Sequence, residues 1–334
     1  MKVAGPAALV VLVALVATPA SPAVPAYVPN TIDFLGGAAV VAHWPTDAFP
    51  IATRVTRGLT NDVPAAAGRA ALDAAMATWS DSPDSIVEIF VEAEQRGLEA
   101  NVVDGINAIE FSNDAALDNA QFLTLSFTLM NADGSIVESD LLVNDRAIGF
   151  TTIAGSGVGL DLETTMLQEV GRFLGLASSP LGGFGPDGTL SDDTSVMFPV
   201  GRGVGDTART LRDDDVAALA ALYPAPDSAR ATITGQVVRA GTGLFGAHVV
   251  AHEPFQDILV GAVSLPDGTF RIGGLSPGTY LLVAFPLNDV VSPAALGGIF
   301  LRDGIDTTFR AAAVAQAIRV GAGQTATGVL VRVQ

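Results

Sequence analysis

Apolar residues recur along this chain with two different periods, and the change from one to the other divides it near residue 230. Between 64 and 79, Leu72, Ala75, Met76 and Trp79 fall on one face at helical spacing, which predicts a first helix. Asp62 is placed to cap it, and Pro64 suits its first turn. Runs at 37–44, 86–92 and 108–111 predict strands. So do 121–130 and 135–144, joined across the turn Asn131-Ala132-Asp133-Gly134. A second helix is predicted over 162–176, with Asp161 as cap and Met166, Val170, Phe173 and Leu174 as its buried stripe. A Gly-rich loop follows over 178–194. A third helix, 213–222, opens on three aspartates, which suit the positive end of its dipole, and Pro224 and Pro226 stop it. Residues 225–230 read as a linker. Beyond them helical periodicity fades, and short β-like runs at 233–239, 247–252, 259–264, 269–272, 280–285 and 328–333 predict a small β-sandwich. Pro266-Asp267-Gly268 and Ser276-Pro277-Gly278 mark its turns.

Composition narrows the function classes. Of 334 residues, 49% are apolar and 16% charged, enough apolar surface for two cores. The net charge is −18 and no basic patch is present, which argues against nucleic acid and anionic membranes as partners. The absence of cysteine excludes disulfides, thiolate catalysis and thiolate metal sites. Lys2, the apolar stretch 7–16 and the small residues Thr18, Ala20, Ser21 and Ala23 form a secretory leader pattern, predicting a signal peptide over 1–23 and an extracellular protein. The apolar run 3–17 is short of the roughly 20 residues that span a bilayer.

The second helix reads Gln168-Glu169-Val-Gly-Arg172-Phe-Leu-Gly175-Leu-Ala-Ser178, followed by Ser195-Val196-Met197-Phe198-Pro199. This resembles the zinc-binding helix and methionine turn of matrixin metallopeptidases, within the metzincins. The stretch Asp104-Gly105-Ile106-Asn107 and the segment 211–224 resemble further landmarks of that family. The resemblance covers about 38–224 and implies an α+β metzincin-like fold, a twisted mixed sheet with long helices. It places the family's general base at Glu169 and structural roles at Gly175 and Met197. The three zinc histidines fall on Gln168, Arg172 and Ser178, of which an arginine cannot ligate a metal. Glu169 and Arg172, three apart on one helix, are spaced to pair. Residues 231–334 resemble the carboxypeptidase regulatory-like domain, a transthyretin-like β-sandwich, through Pro266-Asp-Gly-Thr-Phe270 and Pro277-Gly-Thr-Tyr280.

The resulting layout is a leader at 1–23, an extended segment at 24–37, a degenerate peptidase-like domain at 38–224, a linker at 225–230 and a sandwich at 231–334. The expectation is an inactive pseudopeptidase without zinc, secreted, with a binding or regulatory role toward an extracellular protein or peptide. An active peptidase with atypical metal ligands and an inert structural protein are the alternatives. The segment 122–130 is the candidate edge for peptide pairing. Other ligand sets are weaker. His248 and His252 lie on one β-run, about 13 Å apart and too far to share an ion, and read as exposed strand residues. His43 reads as structural. Asp187, Asp192 and Asp193, near Gly185 and Gly188, are candidates for calcium.

Overall fold

The computed structural model describes residues 31–32, 40–118, 122–146, 149–184 and 190–334. The expected leader lies outside them, as does Asp187.

The first half is built on a five-stranded mixed sheet. Its strands are β1 (Ile51–Thr56), β2 (Ile89–Gln95), β3 (Ala108–Ser112), β4 (Thr124–Met130) and β5 (Ile136–Asn144), in spatial order β2-β1-β3-β5-β4. The pairs β1–β2, β1–β3 and β3–β5 are parallel, whereas β4 runs antiparallel to β5 and forms an edge. Two helices, α1 (Ala65–Ser80) and α2 (Leu162–Phe173), pack on each other. Leu72, Met76 and Trp79 of α1 and Met166, Leu167 and Val170 of α2 are buried in one core with Ile51, Val55 and Ile109 of the sheet. The Trp79 indole N–H donates to the Leu167 carbonyl at 2.7 Å, so the largest buried ring also meets its polar requirement.

Local chemistry sets the helix ends. Asp161 caps α2, its carboxylate accepting the Thr164 N–H at 2.9 Å. The helix ends at Phe173, short of the expected 176, because Gly175 takes φ +89° and the Leu176 N–H returns to the Gly171 carbonyl at 3.1 Å. A β-carbon at Gly175 would stand 2.8 Å from the Ala42 carbonyl oxygen, so the stop is also a close approach of two chain segments. At α1 the expectation fails. Pro64 is the N-cap residue, without a side-chain cap, and Asp62 instead accepts the Phe150 N–H at 2.9 Å.

A third helix, α3 (Asp213–Leu222), precedes Pro224. The second half is a β-sandwich of β6 (Ala231–Arg239), β7 (His248–Glu253), β8 (Ile258–Val263), β9 (Thr269–Leu275), β10 (Gly278–Phe285) and β11 (Thr325–Val333). One sheet sets β6 antiparallel to β9 and parallel to β11, and the other runs β8-β7-β10, all antiparallel. Ile233, Val237, Val249, Ala251, Ile272 and Leu282 fill the space between them.

The halves share apolar contacts. Leu190 and Phe198 of the first join Phe245, Val263, Leu287 and Phe300 of the second in a separate cluster. Ala217 of α3 belongs to the sandwich core.

The expected α+β metzincin-like fold with long helices is corrected. Among the described residues the chain is mostly β and 18% helical, with α-helices of 16, 12, 10 and 4 residues. Gly175 cuts the second helix short, and the described chain beyond 230 supplies almost only strands.

Candidate functional site

Glu169 sits on the buried side of α2 at 5% exposure. Arg172 follows one helical turn later, its Nε 3.6 Å from the Glu169 carboxylate. Burial pushes the Glu169 carboxyl above its usual range, and Arg172 and the Thr124 hydroxyl of β4 oppose that shift. The Arg172 Nη1 donates to the Ser178 hydroxyl at 3.4 Å. Both Arg172 contacts are long for a guanidinium, whose good charge-assisted bonds run about 2.7–2.9 Å. The structure therefore brings Glu169, Arg172, Ser178 and Thr124 together at one point, where α2 meets the beginning of the edge strand.

Gln168 faces elsewhere. Its amide donates to the carbonyls of Val196 at 3.0 Å and Phe198 at 2.7 Å, stitching α2 to the 195–199 turn. Met197 lies beneath the helix at Gly171, where an added β-carbon would stand 2.4 Å from its sulfur and 2.7 Å from Trp79 Cζ2. The turn itself is held by Asp215 of α3. That carboxylate accepts from the Ser195 hydroxyl at 2.5 Å, the Val196 N–H at 2.9 Å and the Arg212 N–H at 2.9 Å. Asp214 accepts from the Ser179 hydroxyl and, at 2.8 Å, from the Gly261 N–H of the sandwich. Burial, with Asp215 adding to it, pushes Asp214 up to about 7.

Sequence reasoning gave these two aspartates no role beyond suiting the positive end of the helix dipole, and missed that they are buried. Their signal was available in the run of three acids, of which only one was needed at the helix start. It also missed Glu138 and Asp140 of β5. Both are buried, and they hold the loop 99–108: Asp140 accepts from the Asn101 and Ala108 N–H groups at 2.8 and 2.9 Å, and Glu138 accepts from Gly105. Burial lifts Asp140 to about 6.

The remaining candidates are dispersed. His252 pairs with Asp257 at 3.0 Å, but His248 is buried rather than exposed, its Nε2 without a partner and its ring pushed down to about 4 by burial. It lies against Gly261, which leaves the room its ring takes. The His43 Nδ1–H donates to the Val41 carbonyl at 3.0 Å. Asp192 and Asp193 are exposed. Among the described residues no group of three or more His, Cys, Asp or Glu side chains is placed to hold a metal ion. A cavity of about 290 Å³ lies away from the Glu169 group, lined by Trp44, Ile51, Arg54, Glu92 and Asn107 among others.

No protein-family model matches the chain, and no curated protein is similar to it. Among solved structures, a DUF3823 family protein from Parabacteroides merdae is 17% identical over 32% of this chain and 47% of that one, with a TM-score of 0.21. The Bacillus anthracis TIE protein is 13% identical over 31% of this chain and 16% of its own, also at 0.21. The chain thus spans less than half the length of either, and at these scores neither carries a statement about fold or function. The resemblance to matrixin metallopeptidases and to the carboxypeptidase regulatory-like domain is corrected accordingly: no model of either family matches the chain. The positions that suggested it have packing roles here. Gly175 stops a helix, Met197 fills the space under Gly171, and Glu169 is a buried carboxylate beside an arginine.

Proposed function

We propose that this chain is an exported, non-catalytic protein that binds an extended peptide by pairing it along β4. The observation that carries this reading is the free edge of the mixed sheet. Among the described residues β4 has β5 on one side and no strand on the other. The Asn144 N–H bonds the Leu123 carbonyl, so Leu125, Phe127 and Leu129 continue the ladder with β5. By the antiparallel alternation, the main-chain groups of Thr124, Ser126 and Thr128 point outward and are open to a further strand. The leader pattern supports export. The donor chemistry at α2 supports binding without zinc, because the Gln168 amide is committed to two carbonyls and Arg172 is a permanent cation. The acidic surface supports a protein or peptide partner over nucleic acid.

Ser126→Pro is the discriminating variant. Proline on an edge strand removes an outward N–H without removing a ladder bond. Fluorescence anisotropy with labelled peptides of alternating Val and Thr should show binding to the wild type and its loss in the variant, with the far-ultraviolet spectrum unchanged. Stoichiometric zinc in the purified protein, with peptide cleavage stopped by a chelator, would overturn the reading.

A further inference from the structure

Resting on that peptide reading, we propose that Arg172 is the specificity-determining residue of the β4 site and that it selects ligands carrying a carboxylate placed beside the edge strand. Three observations converge on it. The Arg172 side chain is 30% exposed, so a ligand can reach it from solvent. Its two contacts, at 3.6 Å to Glu169 and 3.4 Å to Ser178, lie at the outer limit for hydrogen bonds and leave the planar fork unsatisfied. By contrast, Arg69 meets Asp73 at 2.8 and 2.9 Å through one nitrogen, which shows what a satisfied arginine looks like in this molecule. Finally, the Thr124 hydroxyl reaches Glu169, which places the start of β4 against the same pair. A peptide added along β4 therefore passes the open guanidinium. A carboxylate there gains two parallel charge-assisted bonds that neither an amide nor a hydroxyl can supply.

Glu169 gives the interaction a second property. Its carboxyl is buried and already displaced toward the protonated form. Arg172 is the charged group acting on it. From β4 it meets the neutral Thr124 hydroxyl, and the neighbouring 195–199 turn carries no charged side chain. A ligand carboxylate brought to Arg172 sets a second negative charge near Glu169, and two carboxylates sharing one site do not both stay ionised. Glu169 takes up a proton from solvent as the ligand binds, and Arg172 transfers its pairing from Glu169 to the ligand. No covalent bond other than the carboxyl O–H is made. Affinity should therefore rise as pH falls from 8 toward 5.

The test uses N-acetylated hexapeptides of alternating Val and Thr in three forms: free C-terminal acid, C-terminal amide, and amide with one internal Asp. Titration calorimetry is run with full-length protein at pH 8 and pH 5.5, in two buffers of different ionisation heat. The expected result is roughly tenfold tighter binding of the free acid or the Asp form than of the plain amide. Whichever form gains identifies the carboxylate source. Proton uptake should accompany it. Arg172→Gln should abolish the preference while the amide still binds, and Glu169→Gln should keep the preference but remove the proton uptake. Equal binding of all three forms would overturn the carboxylate proposal and leave pairing along β4 standing. Binding of no form, or binding untouched by Ser126→Pro, would instead overturn the peptide reading beneath it.

Discussion

At the scale of single residues, the site is governed by how one carboxylate is buried. Glu169 has a folded-state proton affinity raised by burial, with Arg172 working against that rise. Removing the arginine leaves an unpaired charge in the interior. Breaking a fully buried pair costs about 3–5 kcal/mol, but Arg172 is partly exposed and the contact is long, so Arg172→Ala should cost nearer 1–2 kcal/mol at pH 8. The sign of the pH dependence follows from the raised carboxyl. The folded form holds its proton at a pH where the unfolded chain has released it. The variant should thus recover stability as pH falls through the raised value toward the ordinary one near 4.5. Thermal unfolding from pH 8 to 5 would show this recovery, and Glu169→Gln in the same background should remove the pH dependence.

At the scale of elements, the turn that ends α2 aligns the whole site. Gly175 leaves the helix in a left-handed conformation that L side chains rarely adopt, and it does so against the Ala42 backbone. Gly175→Ala adds strain and a clash together, and should cost about 2–3 kcal/mol with a matching fall in melting temperature. It should also move Ser178 relative to Arg172, so any peptide affinity should fall with it. Helix α2 was largely legible in the sequence: Asp161 caps it and Met166, Val170 and Phe173 are buried as their spacing implied. Its end was misplaced by three residues because the glycine, which was visible, acts through a neighbour 133 positions earlier that was not. Strand β1 escaped sequence reading altogether, although Ile51, Thr53 and Val55 alternate with half-buried positions. Its interior holds Thr53 and Arg54, and short polar-interrupted runs look like loops until parallel neighbours on both sides show otherwise.

At the scale of the whole molecule, the two halves behave as joined. Arg230, in the segment between them, pairs with Asp84 at 2.7 Å and donates to Gly274 and Ser276, while the Ala225 N–H bonds the Asp84 carbonyl. Trypsin under native conditions should therefore spare Arg230 and cut exposed arginines first, as a time course with mass spectrometry would show. The contact also carries a titratable group. Asp214 bridges α3 to Gly261 and is pushed up to about 7, chiefly by burial and then by Asp215. Since its folded value exceeds the ordinary 3.8, the molecule gains stability from this group as pH falls from about 7 toward 4, and loses it above 7. Asp214→Asn should flatten the melting temperature across that window and raise it at pH 8, because the amide oxygen can still accept from the Gly261 N–H.

By itself the sequence determined what is local: the helices with their stripes, the cap at Asp161, the turns at Gly134 and Gly268, and the Glu169–Arg172 pairing that i,i+3 spacing allows. Each depends on residues within a turn or two of one another, so spacing is enough. Tertiary structure alone decided the rest. It made Asp214 and Asp215, which open a helix, into buried fasteners, sent Asp62 to Phe150 instead of to a cap, and buried His248 against Gly261. It also joined the two halves through Phe198 and Phe245, and among the described residues it left β4 with an open edge. Burial and strand pairing depend on partners dozens to hundreds of residues away, and a family-like motif is a local pattern that does not report them. That is why the motif around Glu169 suggested a peptidase, while the packed chain presents an arginine beside a free strand.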